Sequence, residues 1–246
     1  MKIGISTVCL PPTNWIACLK HMNIDAVEIN PKSYLPYKYD KLQKYTSLLS
    51  KWSLSIHTHG RPLFSKNEIF DNRSIAILKS EIFAANILAG REVVFHLPRS
   101  LPMVDFNETE FNHMHNLLEF ANANSVQLFL ENNSGKAWSN WPELKEMLNL
   151  FPSLGFCLDV AHLRCATVNS SEITINDFIQ QLGDRVTYAH AHNSYGPIDS
   201  HSAIDNGSLD VITNLRKLPH LKKIIVESTS FEDALRSADI LKESWE

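Results

Sequence analysis

The sequence has no long apolar run, no CxxC pair, no low-complexity tract, no close internal repeat and no excess of positive charge, and each absence excludes a class of protein. No apolar stretch reaches the roughly 18 residues needed to span a bilayer, so no membrane role is expected. The four cysteines, Cys9, Cys18, Cys157 and Cys165, show no metal-finger spacing and no secretory leader ahead of them. Reduced, cytoplasmic thiols are expected rather than a disulfide framework. With 23 basic against 27 acidic side chains the formal charge is −4, which argues against a surface given over to nucleic acid but leaves a local basic rim open.

What is present fits a globular enzyme. Apolar residues make up 44% and charged residues 20%, enough for a sizeable core. The 246 residues lie close to the roughly 250 typical of a (β/α)8 barrel, so residues 1–246 are expected to form one domain. Short apolar runs at 2–6, 26–30, 53–57, 93–96, 126–131, 155–159, 186–190 and 223–227 read as strands. Stretches of helical period separate them near 13–22, 39–51, 70–89, 107–123, 140–150, 172–182, 208–217 and 231–243. Asp71, Asn107, Ser139, Ser171 and Ser230 sit at or near plausible helix starts. Strand and helix alternating eight times predict a TIM barrel, with a doubly wound open sheet as the competitor.

In such a barrel the chemistry sits at the C-terminal ends of the strands. Here those ends carry Ser6, Asn30, His57, His96, Glu131, Asp159, His190 and Glu227. Any one of these polar residues has a structural explanation as a hydrogen-bonded strand end. The last six in succession do not, because unrelated structural residues have no reason to share a register, whereas one cation near the barrel axis requires it. An empty cluster of carboxylates repels itself, and a divalent cation removes that penalty.

Two further pairs extend the pattern. "LDVAH" places His162 three residues after Asp159, and "IDSH" places Asp199 and His201 two apart, so that an extended segment aims both to one side. Imidazoles with carboxylates and no thiolate suit zinc, manganese, iron or cobalt. Nine candidate ligands exceed what one ion uses. Either two or three ions bind, or one binds and the remaining side chains contact substrate.

The stretches "SIHTHG", "VVFHLP", "LFLENNSG", "GFCLDVAH", "AHAHNSYGPIDSHSAIDNGSLD" and "IIVES" resemble the xylose-isomerase-like TIM barrels, along essentially the whole chain. That superfamily includes sugar and sugar-phosphate isomerases and epimerases and the apurinic endonuclease IV family. The endonuclease ligand pattern for three zinc ions falls on His57, His96, Glu131, Asp159, His162, His190, Asp199, His201 and Glu227, with Gly207 matching the glycine that follows the DxH. The smaller set of the isomerases and epimerases, around one manganese-like ion, falls on Glu131, Asp159, His190 and Glu227. The chain departs from the endonuclease pattern at "AHAHN", where an aspartate is usual in place of the asparagine, and at "DNG" in place of "GEG".

The resemblance implies a metal-dependent sugar or sugar-phosphate isomerase or epimerase using one to three ions of manganese, zinc or cobalt. Glu131 and Glu227 are its expected base and acid, and His162, His201, Asn193 and Arg61 its expected substrate contacts. His192 is given no ligand role. The alternative is a multi-zinc phosphodiesterase acting on abasic DNA, with "NPKSYLPYKYDKLQKY" and Arg61 and Arg99 as a basic rim. Read without DNA, that loop is a substrate lid whose tyrosines pack while its lysines stay solvated. A barrel that binds without turnover is a third reading. Trp138, Trp141 and Phe64 lie near the pocket loops, where aromatics are more often packing than binding residues.

Overall fold

The computed structural model describes residues 1–36, 39–58, 68–168 and 174–246. Eight parallel strands close a barrel: β1 (Lys2–Ser6), β2 (Ala26–Ile29), β3 (Ser53–His57), β4 (Glu92–His96), β5 (Gln127–Glu131), β6 (Gly155–Asp159), β7 (Val186–Ala191) and, after an intervening hairpin, β10 (Lys223–Val226). The hairpin is antiparallel and consists of β8 (Asn193–Tyr195) and β9 (Ile198–Ser202). Around the barrel lie α1 (Trp15–Lys20), α2 (Pro31–Tyr34), α3 (Tyr39–Leu49), α4 (Glu68–Ile87), α5 (Glu108–Ala123), α6 (Trp141–Leu150), α7 (Val160–Thr167), α8 (Ile175–Leu182), α9 (Val211–Arg216) and α10 (Phe231–Trp245). This is a TIM barrel, and every expected strand is found within a residue or so of its expected position. No helix among the described residues is long and apolar enough to cross a membrane.

The short helices α2 and α7 and the hairpin are additions to the expected series. No helix is expected directly after Asp159, yet the Asp159 carboxylate accepts from the His162 backbone N–H at 2.7 Å and starts α7 with no linker at all. Asn107 and Ser230 cap their helices as expected. The cap residues of α6 and α8 are Asn140 and Thr174 rather than Ser139 and Ser171, and Ser171 lies outside the described residues. Asp71 falls inside α4 instead of ahead of it.

Strand alternation divides the side chains into two sets. Outward-facing residues such as Ile29, Ile56, Phe95, Leu130, Leu158 and Val226 join the large core shared with the helices. Facing the axis, Ala26, Val94, Phe129, Cys157, Tyr188 and Ile225 form a separate buried cluster inside the barrel. Each of these six is two residues before a polar side chain: Glu28, His96, Glu131, Asp159, His190 and Glu227 respectively. Because side chains two apart on a strand share a face, the apolar layer forms a floor and the polar layer lies directly above it. The pairing register agrees, setting His96 opposite Glu131 and Asp159 opposite His190. Burying an aliphatic such as Ile225 contributes about 1.5–3 kcal/mol, and such contributions offset the cost of holding charges above it.

Candidate metal centre

Glu131 is the hub of the polar layer. Its Oε2 lies 3.0 Å from His57 Nε2 and 3.1 Å from His96 Nε2, while Oε1 lies 3.0 Å from His190 Nδ1 and 3.3 Å from His162 Nδ1. The strand brings this carboxylate to the axis with no solvent exposure. The next residue, Asn132, locks the neighbouring strand end: its side chain accepts from the Asp159 N–H at 2.8 Å and donates to the Asp159 carbonyl at 2.9 Å.

Three groups of donor atoms emerge around this hub, the atoms within each lying within 4.8 Å of one another. The first is His57, His96 and Glu131; the second is Glu131, Asp159, His190 and Glu227; the third is His162, His192, Asp199 and His201. A fourth, overlapping combination takes Glu28 with His57, His190 and Glu227. All nine residues expected as ligands from the sequence therefore stand together at the barrel mouth, and Glu28 and His192 join them.

The electrostatics are those of densely interleaved opposite charges. Burial alone would push the Glu131 carboxyl up, but His96 and His190 outweigh it and hold the group well below the usual carboxylate range. Burial likewise opposes ionisation of Asp159, and His162 and His192 reverse that. Burial would lower His57, yet the hydrogen bond and charge of Glu131 raise it to about 10. His162 and His190 are raised by neighbouring acidic groups despite their burial.

Several buried atoms in this cluster have no hydrogen-bond partner, among them Glu131 Oε1, His190 Nδ1, His96 Nδ1 and Asp199 Oδ1. Each buried polar atom left unpaired costs about 1–3 kcal/mol. Glu131 Oε1 and His190 Nδ1 are 3.0 Å apart without forming a hydrogen bond, which suits two atoms aimed at a common cation. The grouped donors, imidazole with carboxylate and no sulfur, fit zinc, manganese or cobalt.

Glu28 is a member of this cluster that the strand-end reading misses, because Asn30 stands in sequence as the polar end of the second strand. Asn30 instead precedes α2, where its N–H donates to Thr7 Oγ1 at 3.0 Å. Glu28, two residues earlier on the same face, accepts from Tyr188 Oη at 2.6 Å and from His190 Nε2 at 3.1 Å. Its sequence signal is an acid inside the otherwise apolar strand "AVEI".

The expected role of Asn193 needs correction. Its amide donates to the Ile204 and Leu209 carbonyls, and its oxygen accepts from the Ser194 and Leu209 N–H groups. A primary amide makes four such bonds at most, so nothing remains for a substrate. Asn193 instead pins the segment after β9, and Gly207 fits there because a Cβ would come within 2.2 Å of Asn193 Oδ1. His162 and His201, expected to serve both metal and substrate, aim Nε2 at Asp199, at 3.1 and 3.4 Å. Arg61 and Phe64 lie outside the described residues. Trp138 is fully buried with its indole N–H donating to the Leu101 carbonyl, and Trp141 packs against the core as half-buried helix surface.

A family model described as xylose isomerase-like TIM barrel matches residues 16–243. The chain belongs to the xylose isomerase-like TIM barrel family. Within and around that family, an uncharacterized protein of Methanocaldococcus jannaschii, MJ1311, is 25% identical over 278 aligned positions, covering 100% of this chain and 90% of its own. A D-tagatose 3-epimerase-like protein superposes with a TM-score of 0.83 at 23% identity, covering 100% and 97% of the two chains. Endonuclease IV from Thermus thermophilus superposes at 0.75 with 17% identity, covering 100% and 99%. The barrel is thus shared by relatives named for sugar epimerisation and for DNA cleavage.

Proposed function

We propose that this member of the xylose isomerase-like family is a divalent-metal-dependent sugar or sugar-phosphate isomerase or epimerase. The observation that carries the reading is the convergence of Glu131, Asp159, His190 and Glu227 within 4.8 Å above an apolar floor, the two glutamates coming from strands three places apart in the barrel. A cation bound there would polarise a substrate carbonyl and lower the cost of removing a proton from the adjacent carbon. Glu131, ionised beside His96 and His190, would be the group that accepts that proton. Glu227, just past the C-terminal end of β10, would be the group that returns one. The apolar floor keeps water from entering beneath the reacting carbon.

Among the described residues, Val8, Val104, Tyr195 and Ile198, in the segments that follow β1, β4 and β7, are exposed apolar residues, which favours a small substrate over a duplex. The segment after β2 forms α2 and the start of α3 rather than a loop; in it Tyr34 is buried and donates to the Leu10 carbonyl at 2.6 Å, Tyr45 stacks on Trp15, and Lys41 and Lys44 are exposed. The structural relative named for D-tagatose 3-epimerase points the same way.

The endonuclease remains the second reading because His57 and His96 add a donor group, sharing Glu131, that a one-ion epimerase does not need. The test is a direct comparison: metal-loaded protein incubated with a panel of ketoses, keto-sugars and their phosphates, and separately with a duplex containing an abasic site. Sugar interconversion supports the proposal. Strand incision without sugar conversion replaces it with the second reading.

A further inference from the structure

Two segments at the mouth, the one after β4 and the one after β5, are tied into a single block. Asn133 Nδ2 donates to the Leu97 carbonyl at 3.2 Å and to the Ala137 carbonyl at 2.9 Å, and Trp138 Nε1 donates to the Leu101 carbonyl at 2.9 Å. Glu143 turns its two carboxylate oxygens to main-chain N–H groups, of Met103 at 3.3 Å and of Trp138 at 2.8 Å. The block stands on paired strand ends, because His96 and Glu131 are register partners whose side chains meet at 3.1 Å.

Arg99 and Ser134 each lie three residues beyond those ends, and Arg99 Nη2 donates to Ser134 Oγ at 2.8 Å. That bond steadies the guanidinium and leaves its other N–H groups without an acceptor among the described residues. The Ser134 hydroxyl, having accepted from Arg99, still has its own proton to donate. Lys136, two residues further on, is exposed like Arg99, and among the described residues neither cation has a carboxylate partner. Glu143 does not neutralise them, since the main chain occupies both of its oxygens. Ser139 Oγ donates to the Lys136 carbonyl at 2.5 Å, which holds the Lys136 backbone in the left-handed region at φ +63°. Between the two, no atom lies within 4 Å of where a Cβ on Gly135 would stand, so the space in front of this turn is open.

We propose that Arg99, Ser134 and Lys136 form a phosphate subsite beside the barrel mouth, which makes the substrate a ketose phosphate rather than a free sugar. The choice of a ketose rests on the proposed function; the anion site needs only these three residues. A planar guanidinium steadied by one bond matches two phosphate oxygens at once, and the lysine adds a point charge. The charges select a monoester: a terminal phosphate carries about −1.5 to −2 at neutral pH, which two cations balance, whereas each phosphate of a diester carries a single charge. Binding energy gathered at this remote group would orient the reacting carbon.

The test has two arms. In the first, chelator-stripped protein is titrated with inorganic phosphate. Wild type should bind it, Arg99→Ala should bind it about 10–100-fold more weakly, and Arg99→Lys, which keeps the charge but loses the fork, should fall between them. Equal affinity in wild type and Arg99→Ala, or no binding by wild type, overturns the inference. In the second arm, metal-loaded protein is given a panel of ketose phosphates and the same ketoses unphosphorylated. Wild type should prefer the phosphates in kcat/KM, and in Arg99→Ala that preference should shrink by a similar factor, mainly through KM. Conversion without preference for the phosphates overturns the inference and leaves the proposed function standing. Phosphate binding through Arg99 with no conversion of either series keeps the anion site, but overturns the ketose phosphate as its ligand and the proposed function with it.

Discussion

Glu28 and His190 meet inside the barrel, with Oε2 3.1 Å from Nε2 and both side chains fully buried. The contact turns the histidine round: Nε2 faces the carboxylate and Nδ1 faces Glu131, the reverse of His57, His162, His192 and His201, whose Nδ1 atoms face carbonyls. Tyr188 donates to the same Glu28 oxygen and in turn lies 2.8 Å from Ser55 Oγ, so the acid is itself held in place. Carboxylates behind ligand histidines set both the orientation and the basicity of the ring.

Glu28→Ala should therefore weaken divalent-cation binding at the central group by about 10–100-fold, although Glu28 lies behind the ring. Glu28→Gln, which retains an acceptor for the ring N–H, should lose less. Calorimetric titration with manganese or zinc checks this, and equal affinities in all three proteins would refute the role.

Metal binding should be steeply pH-dependent. In the metal-free protein His57 titrates at about 10 because Glu131 outweighs burial, so below that pH a proton competes with the cation. Apparent affinity should thus rise between about pH 6 and 9, with net proton release that varies calorimetric heats between buffers of different ionisation enthalpy. A flat affinity profile would contradict the charge arrangement described for the cluster.

The same shifts set the stability of the chelated protein. The raised His57 contributes stability fully present below its ordinary 6.5 and lost as pH climbs through about 10. Glu28, lowered to about 2 by His190 against the opposing effect of burial, contributes above its ordinary 4.5 and loses that contribution as pH falls through about 2. The melting temperature without metal should be highest between 4.5 and 6.5 and fall on both sides. Cation present at about 100 times its dissociation constant should add about 2.7 kcal/mol, read as a rise in Tm at neutral pH.

Gly207→Ala should dislodge Asn193, because the new Cβ would sit 2.2 Å from its side-chain oxygen. The expected cost is about 1–3 kcal/mol of stability, as for other overpacked buried sites. Denaturant unfolding of the variant reads the effect.

Much of this architecture is legible in the chain because one rule, side-chain alternation on a strand, produces both the fold and the site. Apolar runs ending in His57, His96, Glu131, Asp159, His190 and Glu227 give strand positions and ligands together. The same rule, taken two residues further in each direction, reaches the rest: Glu28 lies two before Asn30, and His192 lies two after His190. The role of Asn193 is hidden because its neighbours in sequence say nothing of Ile204 and Leu209, whose carbonyls take up its amide. The helix α7 is hidden because a candidate ligand, Asp159, is also its cap, so a strand end and a helix start fall on one residue with no loop between them.

Under the proposed function, Glu131 moves a proton beside a cation held at the barrel mouth. Solvent-deuterium incorporation measures it most directly: metal-loaded protein is incubated in D2O with a panel of ketoses and keto-sugar phosphates, and each carbon next to the carbonyl is followed by NMR. Metal-dependent exchange is expected at one such carbon of at least one sugar, abolished by Glu131→Gln. Exchange that persists in Glu131→Gln, or no exchange in any sugar alongside incision of an abasic duplex, would contradict it.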